Sequence, residues 1–249
     1  MNAGPSAAIE QLSPQQIEAR LARASVAYLP LGSLEFHGPH LPIGLDALTA
    51  HGICLAAAER GGGVVLPPWY VAVGGEHTHY PWTFMSRRPA EIESLLAETL
   101  TRLDELGVQR IVLLSGHFAE EQRDLVTRIA DAWNAGEWSS RVIARTLGEA
   151  PHPPVAPDHA AQFESLVLHA LHPELVDIGQ LPDPHAFPAP QGEDPFGPDR
   201  HRENHPLHGI FGPDPRRLTT ADAAPLAQYL IEWVVDLGAP GATHRTSVG

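Results

Sequence analysis

The chain has 249 residues, enough for one sizeable hydrophobic core, and its 43% apolar content and mean hydropathy of −0.14 are those of an ordinary globular protein. A formal charge of −14 argues against nucleic acid or an anionic membrane as the main partner. The single cysteine, Cys54, excludes an internal disulfide, and no apolar run approaches the ~20 residues of a membrane helix. The start, Met1-Asn2-Ala3-Gly4-Pro5, has no basic region followed by an apolar core, so no secretory signal is expected and a soluble, cytoplasmic protein is.

Ser13-Pro14-Gln15-Gln16 has the form of a capping box with proline at the first helical position, which predicts a short helix from 14 to about 23. The apolar run Val26-Ala27-Tyr28-Leu29-Pro30-Leu31 reads as a buried strand ending in a Gly/Pro-rich loop. Asp46 falls where a helix begins, and 47–60 supplies helix formers until Gly61-Gly62-Gly63 stops it. Cys54 on that helix is expected to be a small core residue. Val64-Val65-Leu66 predicts a second short strand, broken by Pro67-Pro68, with 69–73 extended.

Over 89–106, Ile92, Leu95, Leu96, Leu100, Leu103 and Leu106 recur at the helical period, an apolar stripe expected to face the core, and Gly107 ends the helix. Residues 108–115 form a continuous apolar strand, the pattern of a parallel sheet covered on both faces. A helix is predicted at 119–135, a strand at 141–146, a proline-rich loop at 151–157 and then a helix through 171. Segment 181–215 is rich in Pro, Gly and His, a composition that also suits a disordered linker; an ordered lid or interface arm anchored by Phe187, Phe196, Ile210 and Phe211 is expected instead. A helix over 221–237 precedes a tail, 238–249, expected to be loose. Strands alternating with helices predict an α/β fold, a three-layer α/β/α sandwich with a mostly parallel central sheet, as one domain over 1–249.

The chemistry concentrates in Gly32-Ser33-Leu34-Glu35-Phe36-His37-Gly38-Pro39-His40-Leu41-Pro42, followed by Ile43-Gly44-Leu45-Asp46. Glu35 and His37 are two apart, so in an extended chain their side chains leave by the same face. A carboxylate and an imidazole delivered together, with Asp46 close behind, are the ingredients of a divalent-metal site; the plainer alternative is a solvated polar loop. Ligands of open α/β sheets sit beyond the carboxyl ends of strands. Glu35 and His37 lie past one such end and His117 past another, so the topology would gather residues far apart in sequence.

This stretch resembles the opening motif of the creatininase family, metal-dependent amidohydrolases with a Glu-x-His-Gly-Pro-His-Leu-Pro run followed by an Asp. Three more blocks match in order. His77-Thr78-His79-Tyr80-Pro81-Trp82-Thr83 is similar to a His-x-x-aromatic-Pro-Gly-Thr block, with Trp82 where glycine is usual. Ile111-Val112-Leu113-Leu114-Ser115-Gly116-His117 is similar to a strand ending in Asn-Gly-His, and Asp158-His159-Ala160-Ala161-Gln162-Phe163-Glu164-Ser165 to a His-Ala-Gly-x-x-Glu-Thr-Ser helix start.

The resemblance implies one or two divalent cations per chain (Zn, Mn or Fe). Glu35, Asp46 and His117 would hold one and His37 with Asp46 the other, Asp46 bridging. Creatininase carries a glutamate two residues after the histidine matching His117; this chain has Ala119 there. Glu164 is expected to replace it as ligand, with Glu120 the rival, and Glu164 counts with His159 among the catalytic residues. His159 would shuttle the proton and Asp158 could orient it, while His77, Trp82 and Thr83 would form the pocket wall. The activity implied is hydrolysis of a linear or cyclic amide C–N bond of a small polar molecule by a metal-activated water, in a homo-oligomer, often a hexamer. The missing glutamate motivates one alternative, a binding or scaffold protein of this fold without turnover; another keeps the metal but uses it as a metal-dependent isomerase.

Among the remaining candidates, His51, His152, His169, His172, His185, His201, His205, His208 and His244 have no motif support and are expected on the surface or in loops. His40 should shape its loop, His79 stays open, and Glu121 should be solvated. Ser115-Gly116-His117 lacks the Gly-x-Ser-x-Gly form of a serine-hydrolase elbow.

Overall fold

The structure, a computed structural model, describes residues 6–242. His244 and most of the tail expected to be loose lie outside the described residues. Helix α1, Pro14–Arg23, starts at the predicted capping box: Ser13 Oγ accepts from Gln16 N and the Gln16 side chain accepts from Ser13 N. Strand β1, Val26–Gly32, follows, buried at all seven positions. It is flanked by β4, Arg110–Ser115, on one side and by the two-residue strands β2, Val64–Val65, and β3, Trp69–Tyr70, on the other. Strand β5, Arg141–Thr146, extends the sheet beyond β4, and every pairing is parallel.

Because side chains alternate across a strand, the sheet divides its apolar residues between two helix layers. Tyr28, Val112, Leu114 and Ile143 pack on one face with α2 (Leu45–Gly61), α5 (Gln162–Leu171) and α6 (Ala223–Gly238). Leu29, Leu31, Ile111, Leu113 and Val142 pack on the other with α3 (Pro89–Glu105) and α4 (Glu120–Asn134). This is the predicted three-layer α/β arrangement. Cys54 is buried in the first of these cores, and burial pushes its thiol pKa up. No described helix is long and apolar enough to cross a membrane.

Two expectations need correction. On α3, Ile92, Leu96, Leu100 and Leu103 are buried, but Leu95 and Leu106 are 55% and 57% exposed. Leu95 sits one residue, about 100°, off the buried line, and Leu106 lies at the helix cap where the chain turns away. In segment 181–215, Phe187 and Phe196 are exposed rather than anchoring; Leu181, Leu207, Ile210 and Phe211 are buried there, the first three against Leu41, Leu45, Ala160 and Ala161. The segment is also clamped by charge. The Arg200 guanidinium, 2% exposed, donates to Glu193 Oε1 at 2.6 and 3.0 Å and to the Ile210 carbonyl at 2.8 Å. His205 Nε2 lies 2.8 Å from the other Glu193 oxygen.

Candidate metal centre

Asp46 is placed by two glycines. Gly32, the last residue of β1, and Gly116, just after β4, lie directly against the first turn of α2. A Cβ at Gly32 would stand 2.1 Å from Ala47 N, and one at Gly116 2.0 Å from the Asp46 carbonyl oxygen. Only residues without a side chain let the helix start press on the strand ends, where ligands of α/β folds collect.

Ser33 Oγ, immediately beyond β1, donates to Asp46 Oδ2 at 2.5 Å and lies 3.1 Å from Glu35 Oε2. The loop after it is tied by Glu35 N donating to the Ile43 carbonyl and Phe84 N to the Leu34 carbonyl, both at 2.7 Å. Phe36 N donates to Thr83 Oγ1 at 3.0 Å. Within that loop His37 Nδ1 donates to the Glu35 carbonyl at 2.9 Å, which orients the ring and, in its neutral form, leaves a lone pair on Nε2. Nε2 faces Asp46 Oδ1 at 3.2 Å and Glu164 Oε2 at 3.6 Å. On the other side, His117 Nδ1 lies 3.0 Å from Glu35 Oε2 and 3.3 Å from Asp46 Oδ2. Asp46 therefore turns one oxygen to each imidazole.

Glu164 enters from the first turn of α5. Its Oε2 accepts from Ala160 N at 2.5 Å, and Ala160 adopts a left-handed φ of 56°. Asp158, expected to orient His159, instead caps this helix: its carboxylate accepts from the backbone N–H groups of Ala161, Phe163 and Glu164. His159 is oriented otherwise. Its Nε2 donates to the Phe36 carbonyl at 3.1 Å, and its ring stacks on His77 at 3.8 Å between centroids. His77 Nδ1 in turn lies 3.0 Å from Glu35 Oε1.

The electrostatics follow from burying three carboxylates among imidazoles. Burial alone would lower the His37 pKa, but the charges of Asp46 and Glu164 outweigh it and hold the ring near about 10. Burial would lower His117 too, but its hydrogen bonds to the Asp46 and Glu35 carboxylates and their charges raise it well above the usual imidazole range. Burial would raise Glu35 and Asp46, yet the facing histidines bring both well below the usual carboxylate range. Glu164 goes the other way, pushed up by burial despite His37, with Asp46 and Asp158 adding like charge. His159 is pushed down by burial and by the neighbouring His77. The field that keeps protons on His37 and His117 is one that attracts cations.

The residues fit a divalent metal. Glu35 Oε1, Asp46 Oδ1, His37 Nε2 and His117 Nε2 are buried with no hydrogen-bond partner, even where oppositely chargeable atoms stand close. Buried polar atoms are rarely left so, and each lone pair left without a donor here belongs to a metal-ligand type. Three overlapping sets have ligand atoms within 4.8 Å of one another: Glu35–Asp46–His117, His37–Asp46–Glu164 and Glu35–His37–His159. A cavity of about 470 Å³ opens over them, with Glu35, His77, His117, His159 and Glu164 in its wall.

Comparison with known proteins agrees with this geometry. The creatininase family profile, described as creatinine amidohydrolase, matches residues 10–237. The chain belongs to the creatininase family. It is 28% identical over 206 residues to the creatinine amidohydrolase of Pseudomonas putida, covering 72% of this chain and 78% of that one. It is 32% identical over 160 residues to the mycofactocin precursor peptide peptidase of Mycolicibacterium smegmatis, covering 61% and 60%. A crystal structure of creatinine amidohydrolase (creatininase) superposes with a TM-score of 0.74 at 25% identity, over 94% of this chain and 97% of that one. Family and donor set together make this creatininase-family protein a metal-dependent amidohydrolase acting on C–N bonds.

Of the residues singled out from the sequence, Glu35, His37, Asp46, His117, His159, Glu164 and His77 come together in this creatininase-family centre. Glu120 does not approach the three sets; its side chain is 78% exposed at the cavity edge. Thr83 lies outside the cavity wall and pins the loop through Phe36. Trp82 also lies outside it, 72% exposed. Its φ of 62° is left-handed, a conformation that glycine adopts far more freely than tryptophan. His40 is buried, beside Ser165 Oγ at 3.3 Å, and shapes the loop as expected, whereas His79 is exposed. Sequence reasoning missed the part played by Ser33, the two glycines under Asp46, and His159 as a donor in the third set.

Proposed function

We propose that Glu35, Asp46 and His117 would hold one divalent cation and His37, Asp46 and Glu164 a second, and that the protein hydrolyses a linear or cyclic amide of a small polar molecule. The observation that carries this reading is the orientation of Asp46, one oxygen toward His37 and the other toward His117. Oxygen and imidazole donors suit zinc, manganese or iron. A cation so held supplies Lewis acidity, which polarises the amide carbonyl and draws the pKa of a water toward neutrality.

The chain's own residues supply the rest. Ser33 fixes the Asp46 carboxylate, and His77 fixes Glu35 while stacking on His159. His159 has Nε2 committed to the Phe36 carbonyl, so Nδ1 is the atom that accepts a proton and passes it to the departing nitrogen. Metal analysis with activity tests this. The intact protein should carry one or two divalent ions per chain, and Asp46→Asn should lose them with at least about a hundredfold of the amidase rate. Amide hydrolysis that survives complete chelation, or an unaltered metal content in Asp46→Asn, would overturn the assignment.

The chain is taken as one domain, with segment 181–215 as a lid or interface arm; Phe196, exposed yet part of the cavity wall, supports the lid. A cytoplasmic location is in keeping with an unpaired, buried Cys54. For the homo-oligomer, the exposed apolar side chains of Ile43, Tyr70 and Phe84, gathered around Leu34, are the supporting feature. Sedimentation should find a species larger than 26.9 kDa that Tyr70→Asp with Phe84→Asp reduces; a monomeric parent would refute it.

A further inference from the structure

Two stretches of chain meet at Glu35 and share one support. His117 Nδ1 lies 3.0 Å from one Glu35 oxygen and His77 Nδ1 3.0 Å from the other, so the carboxylate sits between two rings. His117 follows β4, and His77 ends the stretch Val73-Gly74-Gly75-Glu76-His77. Both stretches are tied to the same side chain, Gln122, in the first turn of α4.

Gln122 is 1% exposed, and an amide so buried costs stability unless its polar atoms are bonded. Here each atom finds a partner, and the partners fix the direction of the amide. Val73 N can only donate, so the atom 3.0 Å from it is the amide oxygen. The amide nitrogen therefore faces Ser115 Oγ, at 3.2 Å, and donates to it. The buried Ser115 hydroxyl in turn donates to the His117 carbonyl at 2.7 Å. Three hydrogen bonds thus run one way, from Val73 through Gln122 and Ser115 to His117.

A buried glutamine can serve a fold alone, but both ends of this chain of bonds lie on the metal centre. One end is the backbone of a ligand-type histidine. The other begins the stretch that carries His77 and backs onto the same imidazole: a Cβ at Gly75 would stand 3.4 Å from His117 Cε1. Glu121 adds an outer tie to this stretch, accepting from Gly75 N at 3.3 Å. None of the three bonds involves the His37 loop or α5.

We infer that Gln122 is a positioning residue for the Glu35–Asp46–His117 set: through Ser115 and Val73 it fixes the His117 backbone against residues 73–77, and so governs how Glu35 is presented to a cation. This rests on the metal-centre reading above, but its own content is the selective support of one set of ligands.

The test titrates the full-length protein, freed of metal by chelation, with Zn²⁺ by calorimetry, and measures urea unfolding of the metal-free chain alongside. Ser115→Ala cuts the chain of bonds next to His117, and Gln122→Met removes both amide bonds at similar volume. Each should weaken the binding step that Glu35→Gln abolishes by about ten- to a hundredfold, and leave any other step within about threefold. The double variant should bind no more weakly than Gln122→Met, because the two residues act through one network. Ser115→Ala removes a single hydroxyl and decides the matter if Gln122→Met does not fold. Lower urea resistance with Zn²⁺ binding at parental strength, or all steps weakened alike, would make Gln122 a support of the fold alone and overturn the inference while leaving the metal centre intact. A parent that binds no Zn²⁺ would overturn both.

Discussion

Two clusters of buried charge stand in different parts of this molecule and are built on opposite terms. Around Arg200, each charged group has its partner: two bonds to Glu193, one to a carbonyl, and His205 on the remaining carboxylate oxygen. Around Asp46, four buried ligand-type atoms have none. The first cluster spends its charges on one another and holds segment 181–215 in place. The second keeps lone pairs aimed inward at a cost that folding alone does not repay. Satisfaction of hydrogen bonds, rather than burial or charge, separates the structural cluster from the functional one.

The largest expected effect falls on the satisfied cluster. Arg200→Met leaves the Glu193 carboxylate buried with only His205 and should cost about 3–5 kcal/mol, read by urea unfolding, with proteolysis opening first in segment 181–215. Replacing Glu193 by Met as well should restore at least half of that, since an apolar pair carries no stranded charge. Metal content per folded chain should be unchanged in both. If Arg200→Met emptied the centre instead, the two clusters would be one unit and the contrast would fail.

The difference in legibility has the same origin. Glu35, His37 and Asp46 lie within a dozen residues between a strand and a helix start, so spacing alone announced them, and His117 was marked by its place after an apolar strand. Glu164 needed the resemblance, because no local period links it to the others. Glu193, Arg200 and His205 lie in a stretch without periodicity, and His205 reads as a surface residue; their burial depends on a loop closing over itself. Leu95 and Leu106 show the limit of periodicity in the other direction, since a helical repeat gives a face but not its width. Asp158 stood next to His159 in sequence, yet its carboxylate is taken by the N–H groups of α5.

A smaller effect sharpens the comparison from the side of the open cluster. Ser33 Oγ touches Asp46 and Glu35 but is not a ligand type for these cations, so Ser33→Ala should weaken metal binding about ten- to a hundredfold, measured by competition with a chelator. The hydroxyl removed leaves Asp46 Oδ2 with His117 and the Ser33 N–H as its remaining neighbours. Stability of the metal-free protein should change by no more than about 1 kcal/mol. Equal metal affinity in Ser33→Ala would mean that the Asp46 carboxylate is held by the helix start alone.

The smallest effect concerns Trp82, which neither cluster uses. A tryptophan held at a φ of 62° with its ring 72% exposed bears the cost of a left-handed backbone without the return of burial. Trp82→Gly should therefore raise the unfolding free energy, by about 1 kcal/mol at most, because glycine reaches that conformation freely but adds disorder to the unfolded chain. Relative rates over a panel of amides should stay within about twofold, since the indole lies outside the cavity wall and a lost surface contact is worth little. A variant that kept its stability but reordered the panel would place the indole over the cavity during turnover, and the boundary drawn here between the metal centre and its surroundings would move outward to include it.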